Sequence, residues 1–209
     1  MAAPSKDLVV GSNNPDKLRE IARMLKGCGF RVRPIGDFPG HPDPEETGRT
    51  FLANAKLKAR AFARHTGRLA ISDDSGLMVP ALNGRPGVFS ARFAGPRCDY
   101  ADNCRKVLRL LKGKKGASRR ATFVSVVAIY DGKKYVGAVR GECPGRITDS
   151  MRGKNGFGYD PVFVPAGLSK TFAELSPAAK NRVSHRGRAL AAAKKALVRY
   201  RAGGYCTRP

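Results

Sequence analysis

The segment that most constrains the fold is residues 7–27, DLVVGSNNPDKLREIARMLKG, which passes from a short apolar run through a polar turn into an amphipathic pattern. The apolar run at residues 8–10 predicts a buried strand, and Asn14 followed by Pro15 has the chemistry of a helix N-cap and a first helical position. The apolar face of the following helix would carry Leu18, Ile21, Ala22 and Leu25. This succession of strand, turn and helix indicates an α/β protein.

The polar turn of this unit holds four side chains that could bind phosphate, namely Ser12, Asn13, Asn14 and Lys17. The start of a helix leaves backbone N–H groups without helical partners and carries the positive end of the helix dipole, and both favour an anion. A plain capped turn with a solvent-facing lysine has the same pattern. The spacing alone favours that simpler interpretation.

A second helix and strand follow, and they lead to a pair of acids. Thr50 would cap a helix over residues 51–67, in which Asn54 and Lys58 lie one turn apart and can point the same way. The next buried strand, GRLAIS at residues 67–72, delivers at its C-terminal end Asp73, Asp74, Ser75 and Gly76. In open α/β sheets, ligands bind at that end of the strands.

The rest of the chain alternates between strand, loop and helix patterns. The clearest β signal is residues 119–143, where two alternating β-branched runs joined at Asp131-Gly132 predict a hairpin. The other expected elements are a strand at residues 29–39, a loop-rich stretch at 77–98, a helix from Asp99, a loop with a short strand at 153–165, and two helices starting near Ser176 and Ser184. The sequence shows no internal repeat.

Carboxylates are scarce in this chain, since 40 Lys and Arg residues face 16 Asp and Glu residues and the net charge is +24. Two adjacent pairs nevertheless occur, Glu45-Glu46 and Asp73-Asp74, and their mutual repulsion favours a nearby cation. Five scattered cysteines without a CxxC pair and only three histidines argue against zinc. Any metal should therefore be oxygen-bound Mg²⁺ or Mn²⁺. Acids on a solvated loop would need no metal.

The excess of positive charge fits two kinds of partner, a nucleic acid or a smaller polyanion, and composition does not choose between them. The apolar content of 42% allows a full core in one domain, or in one domain with a lobe. No apolar run approaches the roughly 20 residues of a membrane helix, and the opening MAAPSKDLVV lacks a signal-peptide core. We therefore expect a cytoplasmic protein with reduced cysteines.

Seven short motifs, each uninformative alone, occur in a characteristic order: SNNPDK, EETGRTF, NAKLKA, SDDSGL, FSARFAG, GFGYDPVF and SHRGRAL. Together they resemble the inosine/xanthosine triphosphate pyrophosphatase family, from Leu8 to about Leu197. The resemblance implies an elongated mixed α/β sheet flanked by helices, with an active-site cleft between two lobes. It also implies a homodimer. A single domain would cover residues 1–200, and residues 201–209 would be a disordered tail.

The reaction that the resemblance implies is hydrolysis of ITP, dITP and XTP to the monophosphate and pyrophosphate, with Mg²⁺ or alternatively Mn²⁺ as cofactor. Asp74 matches the family's metal ligand and proton acceptor for the attacking water, and is the predicted catalytic residue. Asp73 and Glu45 match further metal-side carboxylates, with Glu46 assisting. The resemblance assigns phosphate binding to Ser12, Asn13, Asn14, Lys17, Lys58 and Ser75.

Base recognition is assigned by the same resemblance to Phe157, Gly158, Tyr159, Asp160, Lys180, His185 and Arg186. An aromatic ring would stack on the purine, and Asp160 would accept hydrogen bonds from the base edge. The side chains of Lys180, His185 and Arg186 can donate to a 6-oxo group, whereas the 6-amino group of adenine would set donor against donor. Without the other motifs, His185 would be an ordinary helix-start histidine and GFGYDP a packed turn.

The chain departs from the family pattern at Ala53, where bacterial members often carry an acid, and in its net charge of +24. Arg92 of SARFAG either lines the cleft or holds its loop, and it is left out of the predicted site. The alternative function is a nucleic-acid-binding protein on the same scaffold, motivated by the charge. A pyrophosphatase for modified pyrimidine nucleotides is disfavoured by the full set of purine-reading residues.

Overall fold

The computed structural model describes residues 7–96 and 99–203. In the first part of the chain, the elements are β1 at Asp7–Val10, α1 at Pro15–Leu25, β2 at Arg31–Pro34, α2 at Phe51–Thr66 and β3 at Leu69–Met78. The second part contains α3 at Tyr100–Leu110, β4 at Arg120–Asp131, β5 at Lys134–Ile147, β6 at Phe163–Pro165, α4 at Pro177–Val183 and α5 at His185–Arg201.

The strands form a mixed six-stranded sheet in the order β2-β1-β3-β4-β5-β6. β1 runs parallel to both of its neighbours, with Leu8 opposite Val32 of β2 and Leu69 of β3, whereas β5 and β6 are antiparallel. β4 and β5 are neighbours joined at residues 132–133, as the hairpin signal predicted. The prediction of an α/β protein with a mixed sheet and flanking helices is confirmed.

Side-chain capping fixes where the helices begin. The Oδ1 atom of Asn14 accepts hydrogen bonds from the N–H groups of Asp16 and Lys17 at 2.9 and 3.1 Å. The other predicted N-caps accept hydrogen bonds in the same way, at Thr50, Asp99 and Ser176. Each cap satisfies a backbone donor that the helix leaves without a partner, which is why these helices start where the sequence predicted.

β3 is longer than the sequence indicated, and its length determines where the acids lie. We expected this strand to end before Asp73 and to leave Asp73 and Asp74 in a turn, but β3 continues to Met78. Its pairing with β1 ends where Ile71 lies opposite Val10, while β4 borders its other side. The two carboxylates therefore lie inside a strand, just beyond the carboxyl end of β1.

The chain divides into two compact units, each with its own apolar core. Within the described residues, the first is built from residues 7–74, 126–140 and 189–203, and the second from residues 75–96, 99–125 and 141–188. Leu8, Ile71 and Leu190 are buried in the core of the first unit, and Phe163 and Phe172 in that of the second. The expectation of a single domain with two lobes stays a prediction.

The C-terminal helix extends into the segment that we expected to be a disordered tail. Arg201 is the last residue of α5, and its Nη1 atom donates to the carbonyl oxygen of Gly29 at 2.7 Å. Residues 204–209 of the predicted tail lie outside the described residues. Among the helices in the described part of the chain, none is long and apolar enough to cross a lipid bilayer.

We expect Gly187→Ala to lower the free energy of unfolding by about 1 to 3 kcal/mol, because the added methyl group overpacks the corner between α4 and α5. A Cβ at residue 187 would lie 1.8 Å from the carbonyl oxygen of Asn181, and a backbone atom of a helix cannot easily move aside. Urea unfolding measures the difference. The matched control is Gly36→Ala, where a Cβ meets no described atom within 4 Å. Equal urea midpoints for the two variants would contradict the prediction.

Candidate functional site

The start of α1 directs a lysine at the acid pair of β3. Lys17 places its Nζ atom 3.2 Å from Oδ2 of Asp73, whose side chain is 1% exposed. The side chains of Ser12 and Asn14 form hydrogen bonds within the turn itself. Ser12 Oγ accepts from the N–H of Asn14 at 3.2 Å, and Asn14 caps the helix. The side chain of Asn13 is exposed. The capped turn is therefore real. The interpretation that spacing alone favoured for Lys17, a side chain that faces the solvent, is wrong.

Lys58 of α2 lies at the centre of the acidic cluster in the first unit. Its Nζ atom forms an ion pair with Glu46 and lies 3.4 Å from Oδ1 of Asp74. The same ammonium group donates to the carbonyl oxygen of Asp73 at 3.2 Å. One cation thereby connects the loop that carries Glu46 with the middle of β3, and it brings two carboxylates from distant parts of the sequence together.

Asn54, one turn before Lys58 on α2, is fully buried and joins the same two elements. Its Oδ1 atom accepts from the N–H of Gly48 at 2.7 Å, and its Nδ2 atom lies 3.4 Å from Oδ2 of Asp74. A Cβ on Gly48 would lie 2.5 Å from that Oδ1 atom, so the loop needs glycine there. The predicted common direction of Asn54 and Lys58 is confirmed. Asn54 thus contacts Asp74, although it was not among the site residues predicted from the sequence.

The charged groups of this cluster change one another's protonation. Burial raises the pKa of Asp74, and repulsion from Glu46 and Asp73 acts in the same direction, whereas Lys58 and Lys17 act against it. Burial alone would lower the pKa of Lys58, but the attraction of Asp74, Glu46 and Asp73 outweighs it and raises that pKa. Lys58 therefore stays charged, and Asp74 is a carboxylate that further positive charge would stabilise.

In the described part of the chain, one member of the pair Glu45-Glu46 contacts Lys58. The side chain of Glu46 is partly buried and pairs with Lys58, while the side chain of Glu45 is exposed. The family resemblance ranked Glu45 above Glu46. The local sequence could not correct this, because adjacent residues of an irregular loop have no periodicity that tells which of them faces inward. The structure shows that Glu46 and Asp74 share the ammonium group of Lys58.

The second unit holds a buried ion pair next to an aromatic ring. Lys180 of α4 places Nζ 2.7 Å from Oδ2 of Asp160, and the two side chains are 6% and 3% exposed. The same carboxylate oxygen accepts from the backbone N–H of Phe157 at 2.9 Å. The ammonium group lies 4.8 Å from the centre of the Phe157 ring. Asp160 thus ties α4 to the GFGYDP turn and fixes the ammonium group beside the ring.

The first two residues of α5 continue this cluster. The buried ring of His185 stacks on Phe123 of β4, with the ring centres 4.4 Å apart and the planes 5° from parallel. Arg186 donates from Nη2 to Oγ of Ser75 at 2.7 Å, and its Cζ atom lies 5.3 Å from the centre of the Phe157 ring. Ser75, predicted as a phosphate contact, therefore contacts Arg186, which was predicted to read the base. Phe123 was missed, because an aromatic residue in a strand pattern indicates only core.

Tyr159 anchors the GFGYDP turn to the SARFAG segment. Its buried hydroxyl donates to the carbonyl oxygen of Ser90 at 2.8 Å, and burial raises the pKa of Tyr159 far above the usual range. The carbonyl oxygen of Gly158 accepts from the thiol of Cys104 at 3.3 Å. Arg92 lies over the ring of Phe89 at 5.3 Å. Tyr159 and Gly158 thus support the turn that carries Phe157.

The sheet and these side chains define a class of protein. It is an α/β protein in which lysine and carboxylate side chains lie close together, and enzymes that act on phosphate groups use such charged groups. A family model described as the Ham1 family matches residues 8–196. The chain belongs to the Ham1 family. The resemblance inferred from the seven motifs is confirmed.

Relatives with established names are similar over nearly the whole chain. A dITP/XTP pyrophosphatase of Desulforamulus reducens is 48% identical over 193 residues, which cover 92% of this chain and 96% of that protein. One of Lactiplantibacillus plantarum is 49% identical over 185 residues, covering 88% and 90%. The solved structure of a HAM1 protein from Coxiella burnetii is 41% identical with a TM-score of 0.84, covering 91% and 98%. These names give the nucleic-acid-binding alternative no support.

Proposed function

We propose that this chain hydrolyses non-standard purine nucleoside triphosphates, namely ITP, dITP and XTP, to the monophosphate and pyrophosphate, and so removes them from the nucleotide pool. The observation that carries the proposal is the convergence of Asp74, Lys58 and Glu46 in a chain 48% identical to an enzyme named dITP/XTP pyrophosphatase. Hydrolysis at a phosphoanhydride needs an oriented water molecule and cations that offset the charge on the leaving pyrophosphate. The cluster offers groups for both tasks.

In this reaction Asp74 orients the attacking water and accepts its proton. A buried carboxylate with a raised pKa is a stronger base than an exposed one, and the contacts of Asp74 with Lys58 and Asn54 hold its position. Lys17 and Lys58 bind phosphate oxygens, helped by the backbone at the start of α1. Since Asp73 pairs with Lys17, its role in the proposal is to orient that lysine.

The cofactor we propose is Mg²⁺, or alternatively Mn²⁺. Within residues 7–96 and 99–203, no three His, Cys, Asp or Glu side chains form a ready metal cage. Mg²⁺ is usually held by one or two carboxylates plus substrate phosphates, so the oxygen donors of Glu46 and Asp74 suit it. When bound, the ion would polarise the phosphate and lower the pKa of water. We assign Glu46 the role that the motif gave to Glu45.

The base would be bound by the second unit. Phe157 stacks on the purine, and Lys180, His185 and Arg186 supply donors for a 6-oxo group. Asp160 already accepts two hydrogen bonds at Oδ2, from Lys180 and from the Phe157 backbone. Its main contribution is therefore to hold the ammonium group of Lys180 in position. Adenine carries a 6-amino group in place of the 6-oxo group, so a hydrogen-bond donor would face the donors of the protein. Such a mismatch leaves buried polar groups unpaired.

A substrate panel tests this function directly. Pyrophosphate release from ITP, XTP, GTP and ATP is measured with Mg²⁺, with Mn²⁺ and with excess EDTA. We expect turnover of ITP and XTP, little turnover of GTP and ATP, loss of activity in EDTA, and recovery on adding Mg²⁺. Release of single phosphate groups, or equal turnover of all four nucleotides, would overturn the assignment. Activity that persists in EDTA would remove the metal from the proposal.

The two adjacent glutamates provide a matched pair of variants. We expect Glu46→Gln to lower kcat for ITP by about 10²-fold, because a carboxylate that pairs with Lys58 and holds the metal is lost. Glu45→Gln removes the same charge from an exposed side chain, so its kcat should stay within about twofold of the unaltered protein. Steady-state kinetics at saturating Mg²⁺ measures both. The reverse order of effects would restore Glu45 as the metal-side residue.

A homodimer and a cytoplasmic location complete the proposal. The homodimer comes from the family resemblance, and the location comes from the reduced cysteines that the sequence suggests. Light scattering coupled to size-exclusion chromatography measures the mass of the particle in solution. A mass of twice the 22.5 kDa chain supports the dimer, and a mass equal to the single chain rejects it.

A further inference from the structure

We propose that Tyr100 is a positioning residue of the base site, and that its ring holds Phe157 in the orientation that stacks on the purine. This inference rests on the proposed function, since it needs Phe157 to contact the base. Tyr100 lies in none of the seven motifs, and the structure alone brings it to the GFGYDP turn.

The two rings are in direct contact. The centres of the Tyr100 and Phe157 rings are 6.0 Å apart, with the planes tilted by 42°. This distance lies in the range of about 4.5 to 7 Å that aromatic pairs prefer, and the tilt is intermediate between stacked and edge-to-face packing. Tyr100 is 37% exposed, so its ring covers Phe157 while part of its own surface reaches the solvent.

Phe157 depends on such contacts, because its own segment gives it little side-chain support. Its neighbours Gly156 and Gly158 have positive φ angles of 76° and 62° and carry no side chain. The rings and cations that other elements bring to Phe157 therefore determine its orientation, and they come from α3, α4 and α5. Among these partners in the described part of the chain, Lys180 and Arg186 are cations, whereas Tyr100 is uncharged.

The fold holds α3 firmly against this turn. Asp99 caps the helix by accepting from the N–H of Asp102 at 2.8 Å, which fixes Tyr100 as its first residue. One turn later on the same face, the Cys104 thiol donates to the carbonyl oxygen of Gly158. Burial raises the pKa of Cys104 to about 12, so the thiol keeps its proton at neutral pH. Two side chains of one helical face thus contact two consecutive residues of the turn.

The other two partners of Phe157 have a second task when the substrate is bound. Lys180 and Arg186 lie within 4.8 and 5.3 Å of the ring centre, and both are proposed donors to the base. A cation drawn to the oxygen of the base weakens its contact with the ring. Tyr100 is not a proposed donor to the base, so binding of the base does not draw it away from the ring of Phe157.

The test is a double-mutant cycle in the full chain, with ITP as substrate. Tyr100→Ala should raise KM for ITP by roughly threefold to tenfold, while kcat stays within about twofold. Tyr100→Phe keeps the ring and should restore the original KM. In a Phe157→Ala background, Tyr100→Ala should have no further effect on KM, because the ring that it orients is gone. Inhibition by inorganic tripolyphosphate, which has no base, should be the same in all variants.

Two results separate this inference from the proposed base site. If Phe157→Ala raises KM and Tyr100→Ala does not, the positioning role falls and the base site stands. If Phe157→Ala leaves KM for ITP unchanged, the assignment of the base site falls and the role of Tyr100 falls with it. An equal rise of KM from Tyr100→Ala with and without Phe157 would also overturn the inference, because the effect would then not act through that ring.

Discussion

Asp74→Asn is expected to lower kcat for ITP by about 10³- to 10⁴-fold, because the amide can neither accept the proton of the attacking water nor replace a carboxylate as a ligand for Mg²⁺. Asparagine has nearly the shape of aspartate, so the contact with Asn54 and the packing of β3 can be kept. The expected loss is therefore one of chemistry rather than of folding. Single-turnover measurement of pyrophosphate release gives the rate of the chemical step.

The stability of this variant should change little, since two effects oppose each other. Burial raises the pKa of Asp74, which means that its charged form is disfavoured in the folded protein, and the neutral amide removes that cost. The amide also withdraws an attraction that holds Lys58 charged, although Glu46 and Asp73 remain. We expect the free energy of unfolding, measured in urea without divalent cations, to change by less than about 1 kcal/mol.

The control for Asp74→Asn is the same exchange on the surface. Asp43 is exposed in the loop before the first acidic pair, so Asp43→Asn removes one negative charge while leaving the cluster untouched. Its kcat should equal that of the unaltered protein. If Asp74→Asn and Asp43→Asn are equally active, Asp74 is not the base. If Asp74→Asn fails to fold, Asp74→Glu is measured instead. It keeps the negative charge and displaces the carboxylate by one methylene group, so it separates the role of Asp74 in catalysis from its role in folding.

Features encoded by a few neighbouring residues could be predicted from the sequence. Asn14 before Pro15 specified the start of α1, because a cap and its backbone donors lie within one turn. Asp131-Gly132 between two β-branched runs specified the hairpin of β4 and β5 for the same reason. The catalytic role of Asp74 stays a prediction, and it rests on the order of seven motifs along the whole chain rather than on neighbouring residues.

Features that depend on distant segments could not be predicted. β3 continues through Asp73 to Met78 although its pairing with β1 ends at Ile71, and its other neighbour in the sheet is β4, a strand distant in sequence. The choice between Glu45 and Glu46 depends on where α2 places Lys58. The contact of Tyr100 with Phe157 joins residues far apart in sequence, one of them outside every motif. In each case a tertiary neighbour decides what the local pattern leaves open.

Lys180→Met should lower the free energy of unfolding by about 3 to 5 kcal/mol, because it leaves the Asp160 carboxylate buried without its ammonium partner. That is a large share of the total stability of about 5 to 15 kcal/mol that is usual for a folded protein. The double variant Asp160→Asn with Lys180→Met replaces the whole ion pair by neutral groups, and asparagine can still accept from the N–H of Phe157. It should recover most of the lost stability in urea unfolding.

The double variant separates the structural role of Lys180 from its role in recognition. If Lys180 donates to the 6-oxo group, the recovered protein should still have a much reduced preference for ITP over ATP in kcat/KM. Asp102→Asn breaks an exposed ion pair with Arg105 and serves as the control, with no resolvable change in stability or preference. If the double variant is as unstable as Lys180→Met, the unpaired carboxylate is not the cause of the loss. If it recovers both stability and the preference for ITP, Lys180 supports the fold of the base site without contacting the base.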